Sequence, residues 1–221
     1  MPMLDTKRPT CGTCLRPQRA CICRWIAPAS NIAEVLILQH PLEAGEAKGS
    51  ARLLQLSLVN IWLAVGESFA EDTLQALLHA PFESQDGNAA DMKNARQPVL
   101  LYPTQTDCPT SAIIPQHPEQ IRLIVLDGTW RKTRKMLHLN PLLQQVPRLP
   151  LTNPPPSHYL IRKAHRTDQL STLEATCHAL TQLENAPTRY VPLLRAFDGF
   201  VAQQQACIPR YTGADERTDK R

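Results

Sequence analysis

Along most of the chain, short runs of branched apolar residues alternate with stretches in which apolar positions recur every three to four residues. The short runs predict buried strands and the spaced stretches predict helices with one apolar face. Strands are predicted over 34–40, 61–65, 98–103 and 123–127, with a short edge strand over 146–151 and an extended piece over 158–162. Helices are predicted over about 50–60, 71–79, 129–139, 171–183 and 190–205. Their inward positions include Leu53 and Leu54, then Leu74, Leu77 and Leu78. Leu173, Cys177, Leu180 and Leu183 follow, then Leu193, Leu194, Phe197 and Val201. In the helix after residue 129, Trp130, Thr133 and Leu137 are assigned to the buried face, and Arg131, Arg134, Lys135 and His138 to the other side. Strands that alternate with helices predict an α/β fold, mostly a parallel sheet with helices on both faces.

The intervening segments are polar or proline-rich. Residues 84–97 hold Asp86-Gly87-Asn88 and read as a surface insertion, 104–120 as a loop with three prolines, and 152–157 as a rigid polyproline-type loop. The domain reading is a small N-terminal metal segment at 1–28, an α/β catalytic unit at 29–207 and a disordered tail at 208–221.

Composition narrows the function classes. At 221 residues and 43% hydrophobic content, the chain can bury one core of ordinary size. Its net charge of +4 is mild, so any case for nucleic acid rests on where the basic residues cluster. Two clusters stand out: Arg131, Lys132, Arg134 and Lys135, and Arg162, Lys163, His165 and Arg166. The absence of G-x-G-x-x-G and P-loop patterns argues against a dinucleotide fold or a P-loop NTPase. Neither an H-x-E…P-C-x-x-C pattern nor a G-x-S-x-G elbow is present, which disfavours zinc deaminase and α/β-hydrolase chemistry. No apolar run has membrane-spanning length and residues 1–10 carry no signal-peptide core, so the expected location is cytoplasmic, away from membranes.

Four of the seven cysteines fall within thirteen residues, as Cys11-x-x-Cys14 and Cys21-x-Cys23. Four thiolates on tight turns match structural tetrahedral zinc, and a reducing compartment disfavours disulfides. A segment this small has too little core to fold alone, so the metal would supply its folding energy.

Three predicted strands end in polar or ring-bearing residues beside a chain stop: Gln39-His40-Pro41, Leu101-Tyr102-Pro103 and Asp127-Gly128-Thr129-Trp130. In a parallel sheet these ends share one edge, where α/β folds bind ligands. The helix after Thr129 opens with four cations and no acid, against the preference of a helix N-terminus for anions; a bound polyanion would offset that cost. Ser171-x-x-Glu174 is a capping box, and that local role accounts for both residues.

Taken in order, Cys11-x-x-Cys14, Arg16-Pro17, Cys21-x-Cys23, Gln39-His40-Pro41, Leu101-Tyr102-Pro103, Asp127-Gly-Thr-Trp130 and Ser171-Thr-Leu-Glu174-Ala175 resemble the DTW-domain family over residues 11–183. Bacterial members of this kind are tRNA-uridine aminocarboxypropyltransferases. The resemblance implies a SPOUT-like fold, in which knotted sheets occur. It also implies transfer of the 3-amino-3-carboxypropyl group from S-adenosylmethionine to N3 of a tRNA uridine, in the variable loop, with release of 5′-methylthioadenosine. Carried onto this chain, it places catalysis at Asp127, Thr129 and Trp130; a carboxylate at a strand end suits Asp127 as general base for the weakly acidic imide, the alternatives being that it orients the uracil or contacts the sulfonium side of the donor. The cofactor cradle would be Gln39, His40, Pro41, Leu101, Tyr102, Pro103, Ser171, Thr172 and Glu174. RNA phosphates would meet Arg131, Lys132, Arg134, Lys135, Arg162, Lys163 and Arg166; Arg162 is also a candidate for the donor's carboxylate. The alternatives are a methyltransferase using the same donor and a non-catalytic zinc-containing RNA-binding module. The oligomeric state stays open, a monomer included.

Overall fold

The computed structural model describes residues 9–46, 48–81, 96–103, 117–157 and 170–206. Five strands pair in the order β2-β1-β4-β3-β5: β1 (Glu34–Gln39), β2 (Ile61–Val65), β3 (Gln97–Leu101), β4 (Ile121–Asp127) and β5 (Arg148–Leu149). Every pairing is parallel. The helices are α1 (Ala51–Ser57), α2 (Glu71–His79), α3 (Trp130–Leu139), α4 (Pro141–Gln145), α5 (Thr172–Glu184) and α6 (Val191–Ala206).

β1 and β4 lie at the centre and are buried along their whole length, as their unbroken apolar runs demand. Period-two geometry divides each run between two cores. Val35, Ile37, Leu123 and Val125 pack with residues of α1, α5 and α6, including Leu54, Leu180 and Phe197. Leu36, Leu38, Ile124 and Leu126 face the opposite way, onto Leu74, Leu78, Met136 and Leu143 of α2, α3 and α4. Helices thus cover both faces, and none among the described residues is long and apolar enough to cross a membrane.

Pro98 sits within β3, where a central strand would reject it. It is tolerated because β5 pairs only with Leu100 and Leu101, so beside Pro98 the outer side of β3 has no strand partner among the described residues. At the amino edge of the sheet, fully buried Arg122 pairs with Glu34, which also takes Arg96 at 2.9 Å. That edge is closed by its own ion pairs.

One sequence expectation is corrected here, and one element was not foreseen. Trp130 does not join the buried face of α3; it is 46% exposed, and Thr133, Met136 and Leu137 form that face. As the first residue of the helix it stands at the sheet edge, ahead of the point where α3 passes over the core. α4 was not anticipated, because five residues opened by a proline are too few to show periodicity.

The cysteine segment is part of this fold. Cys14 and Ile22 belong to the core, and Trp25 lies against Gly199 in the middle of α6. A Cβ at Gly199 would fall 2.1 Å from the Trp25 ring. Mid-helix glycine costs about 1 kcal/mol of helix propensity, and here it makes room for the indole. Gly199→Ala is therefore expected to destabilise the protein by about 1–3 kcal/mol despite the better helix former, measured by urea unfolding. A stabilised variant would contradict the packing described.

Candidate functional site

The sheet order sets β1, β4 and β3 side by side, so the three strand ends singled out above meet at one edge. Gln39 and Asp127 are register partners. The Gln39 amide donates to Asp127 Oδ2 at 2.8 Å. Thr172, at the start of α5, donates its hydroxyl to Asp127 Oδ1. Three segments far apart in sequence thus converge on one carboxylate that is 3% exposed. Thr172 itself is half-buried.

Glycine at 128 eases the close approach of the turn after β4 to the first turn of α3. A Cβ there would lie 3.2 Å from that of Lys132 and 3.6 Å from that of His40. Thr129 caps α3, its hydroxyl accepting from the Lys132 backbone N–H. The cations that open α3 are partly answered by carboxylates from other loops. Lys132 Nζ donates to buried Glu43 at 2.8 Å, and Lys135 Nζ to Glu67 at 2.9 Å. Arg131 and Arg134 are exposed. His40 Nδ1 accepts from the Leu42 backbone N–H, so Nε2 carries the proton and donates to Glu67 at 2.9 Å.

The Lys135 ammonium, and after it His40, hold the Glu67 carboxyl below its ordinary range. A depressed carboxyl stabilises the fold above its unfolded value, near 4.5, and that contribution is lost as pH falls through the folded value. Glu67→Gln is expected to flatten the acid limb of the melting-temperature profile below that pH. An unchanged limb would mean that these contacts carry no linkage.

On the other flank, half-buried Tyr102 meets Trp130 edge-on, with ring centroids 5.8 Å apart. Arg148 lies over the Tyr102 ring, 5.3 Å from its centroid, and donates to the Pro103 carbonyl at 3.2 Å. Pro41 and Pro103 are exposed and Leu101 is half-buried. The capping box is fully formed: Ser171 accepts from Glu174 N, and Glu174 accepts from Ser171 N. Glu174 also takes both contacts from the Ser157 hydroxyl, at 2.9 and 3.1 Å. Arg162, Lys163 and Arg166 lie outside the described residues, as do His165, the extended piece at 158–162 and the tail. Glu67 escaped the sequence reading, because an isolated acid in a turn carries no local sign of partners 27 and 68 residues away.

The four cysteine sulfurs lie within 4.8 Å of one another and form a group able to hold a metal ion. Cys11 and Cys23 Sγ are 3.6 Å apart, and Cys14 and Cys21 Sγ 3.8 Å. A tetrahedron of Zn–S bonds of about 2.3 Å has edges of about 3.8 Å, so the donor set fits. Hydrogen bonds from the backbone at Cys14 and Thr13 bring the Cys11 thiol down to about 6. Burial, reinforced by neighbouring thiols, pushes Cys23 up to about 12.

The family described as "DTW domain" matches residues 8–205, which extends the resemblance through α6. The mouse protein tRNA-uridine aminocarboxypropyltransferase 2 is 27% identical over 205 residues, 90% of this chain and 64% of its own length. Its Drosophila melanogaster namesake is 28% identical over 193 residues, covering 86% of this chain and 72% of the fly protein. The Arabidopsis thaliana protein tRNA-uridine aminocarboxypropyltransferase A is 27% identical over 146 residues, 59% of this chain and 51% of the plant protein. The chain therefore spans less than two thirds of the length of the mouse and plant relatives. No solved structure matches it. With the match running from the cysteine segment to the last helix, the protein belongs to the DTW domain family.

Proposed function

We propose that this protein transfers the 3-amino-3-carboxypropyl group from S-adenosylmethionine to N3 of a uridine in tRNA, releasing 5′-methylthioadenosine. The observation that supports this best is the convergence of Gln39, Asp127 and Thr172, from three of the family's motifs, on one buried carboxylate at the ligand-binding edge. Relatives named for this activity match most of the chain.

The reaction needs the imide proton removed before N3 can attack the carbon beside the sulfonium. Asp127 is the proposed acceptor, reached through Thr172: the hydroxyl takes the N3 proton and gives its own to Asp127. Gln39 holds the carboxylate in line. The donor's cationic centre suits an edge carrying a buried carboxylate. Pro41, Leu101, Tyr102, Pro103 and Thr172 are open enough to touch it, whereas Gln39, His40, Ser171 and Glu174 are buried and shape the edge from behind. Thr129 holds the turn as the α3 cap, and exposed Trp130 offers a face on which a base can stack. Arg131 and Arg134 are the open cations for tRNA phosphates, with Lys132 and Lys135 available when phosphate displaces Glu43 and Glu67. Arg162, Lys163 and Arg166 would extend that surface. Zinc in the four-cysteine site would stabilise the amino-terminal segment, consistent with a reducing cytoplasmic setting, and the target uridine would lie in the variable loop.

The test is incubation of the purified protein with unmodified tRNA and S-adenosylmethionine, with the small-molecule product identified by mass spectrometry. 5′-Methylthioadenosine with a modified uridine is expected. S-adenosylhomocysteine would instead indicate methyl transfer, and no product from either route would leave a tRNA-binding module.

A further inference from the structure

The loop that joins β1 to α1, described at residues 40–46 and 48–50, walls the strand-end site beside His40 and Glu43. Pro41, Leu42, Ala44, Gly45, Glu46 and Lys48 are all exposed, so apolar packing does little to hold it. Polar anchors do. Glu43 is held by Lys132. At the far end the Gly49 carbonyl accepts from Arg16 Nη2 at 2.8 Å, and the Ser50 hydroxyl accepts from Leu173 N at 3.3 Å. Leu173 lies in the first turn of α5, next to Thr172 and its contact with Asp127.

Arg16 comes from the cysteine segment, between Cys14 and Cys21. It is only 9% exposed, and its guanidinium lies 5.3 Å from the Phe200 ring centroid. Its own backbone is set by the turn that gathers the sulfurs: Cys11 N donates to Arg16 O at 2.8 Å, and Leu15 N to Cys11 O at 2.9 Å. Leu15 sits in that turn at φ 60°, a left-handed conformation that a branched side chain adopts only when its surroundings impose it. Ligation of Cys11 and Cys14 to one ion would impose it.

We propose that Arg16 is a positioning residue through which the metal segment sets the geometry of the donor pocket. With the turn closed, Arg16 holds Gly49 and Ser50, Ser50 holds the first turn of α5, and that turn holds Thr172 on Asp127. With the turn open, the β1–α1 loop loses its anchor and a smaller fraction of molecules is competent for the donor, which lowers apparent affinity in proportion. Arginine is suited to the task because its flat guanidinium lies against an aromatic ring while donating in its plane. The inference rests on the strand-end site being the donor pocket.

Three variants test it: Arg16→Gln, Arg16→Lys and Ser50→Ala, each with metal content, amide hydrogen exchange and steady-state kinetics. In Arg16→Gln, metal content is expected to stay at the wild-type level, because all four cysteines remain. Exchange protection over 43–50 and 171–174 is expected to fall about tenfold, and KM for S-adenosylmethionine to rise about tenfold. Turnover and KM for tRNA should stay within about twofold of wild type. Arg16→Lys, which keeps the donor but not the plane, should fall between. Stripping the metal from the wild-type protein should loosen the same two segments. Wild-type protection in Arg16→Gln, or loosening spread evenly across the sheet with unchanged KM, overturns the proposal. Should Arg16→Gln fail to fold, Ser50→Ala carries the same prediction, and a wild-type KM there overturns it. A wild-type protein that binds no S-adenosylmethionine sinks the enzymatic reading, while hydrogen exchange still decides the coupling.

Discussion

Asp127→Asn is expected to lower turnover by about 10²- to 10⁴-fold, the span of a general-base contribution, with tRNA affinity and fold retained. The substitution is conservative in shape. With the new nitrogen in the place of Oδ2, Gln39 can turn its amide to present oxygen to it while the Thr172 hydroxyl goes on donating to the remaining oxygen, so neither site is left unpaired. What is lost is the capacity to take a proton. Product formation from tRNA and S-adenosylmethionine, measured beside tRNA binding by filter retention, checks both halves. An active asparagine variant would remove Asp127 from the proton path and leave it as an orienting group. Thr172→Val, which keeps the side chain's size and removes the hydroxyl, should lose activity in the same direction.

The second large effect is at the cysteine cluster. Removing the metal with a strong chelator, or replacing Cys14 with serine, is expected to destabilise the protein by more than about 4 kcal/mol. Cys14 is the informative position because it is a sulfur donor and a core residue at once, 2% exposed. Its loss would open the tetrahedron and release a segment whose Ile22 is fully buried and whose Trp25 covers α6. Metal analysis should find one zinc per wild-type chain, and urea unfolding should show the loss in the variant. A metal-free wild-type protein of equal stability would make the cluster four ordinary thiols.

Both effects centre on residues that stand out in the linear chain, and the reason is local. β1 and β4 are legible because strands buried on both faces must be apolar at consecutive positions. The caps at Thr129 and Ser171 are legible because a helix N-terminus needs acceptors for its own backbone N–H groups. Four cysteines in thirteen residues mark a group able to hold a metal ion, because few other demands place them so close. Trp130 is where local reasoning failed. A helical period assigns faces relative to one another, and nothing in it says how far the first turn projects beyond the sheet. The contacts of Glu43 with Lys132, of Glu67 with His40 and Lys135, and of Arg16 with Gly49 were equally invisible, because each joins segments far apart in sequence that only the fold brings together.

Apolar periodicity, capping chemistry and thiol spacing were enough to establish a parallel α/β sheet, the strand ends that meet at one of its edges and a four-cysteine cluster, because each is a demand the chain meets within a few residues. Which strands neighbour one another was decided only in three dimensions. The order β2-β1-β4-β3-β5 brings Gln39 beside Asp127 and leaves Trp130 against Tyr102. It sets loop carboxylates on the cations of α3, because strand pairing and the burial of both sheet faces are settled by the whole chain at once.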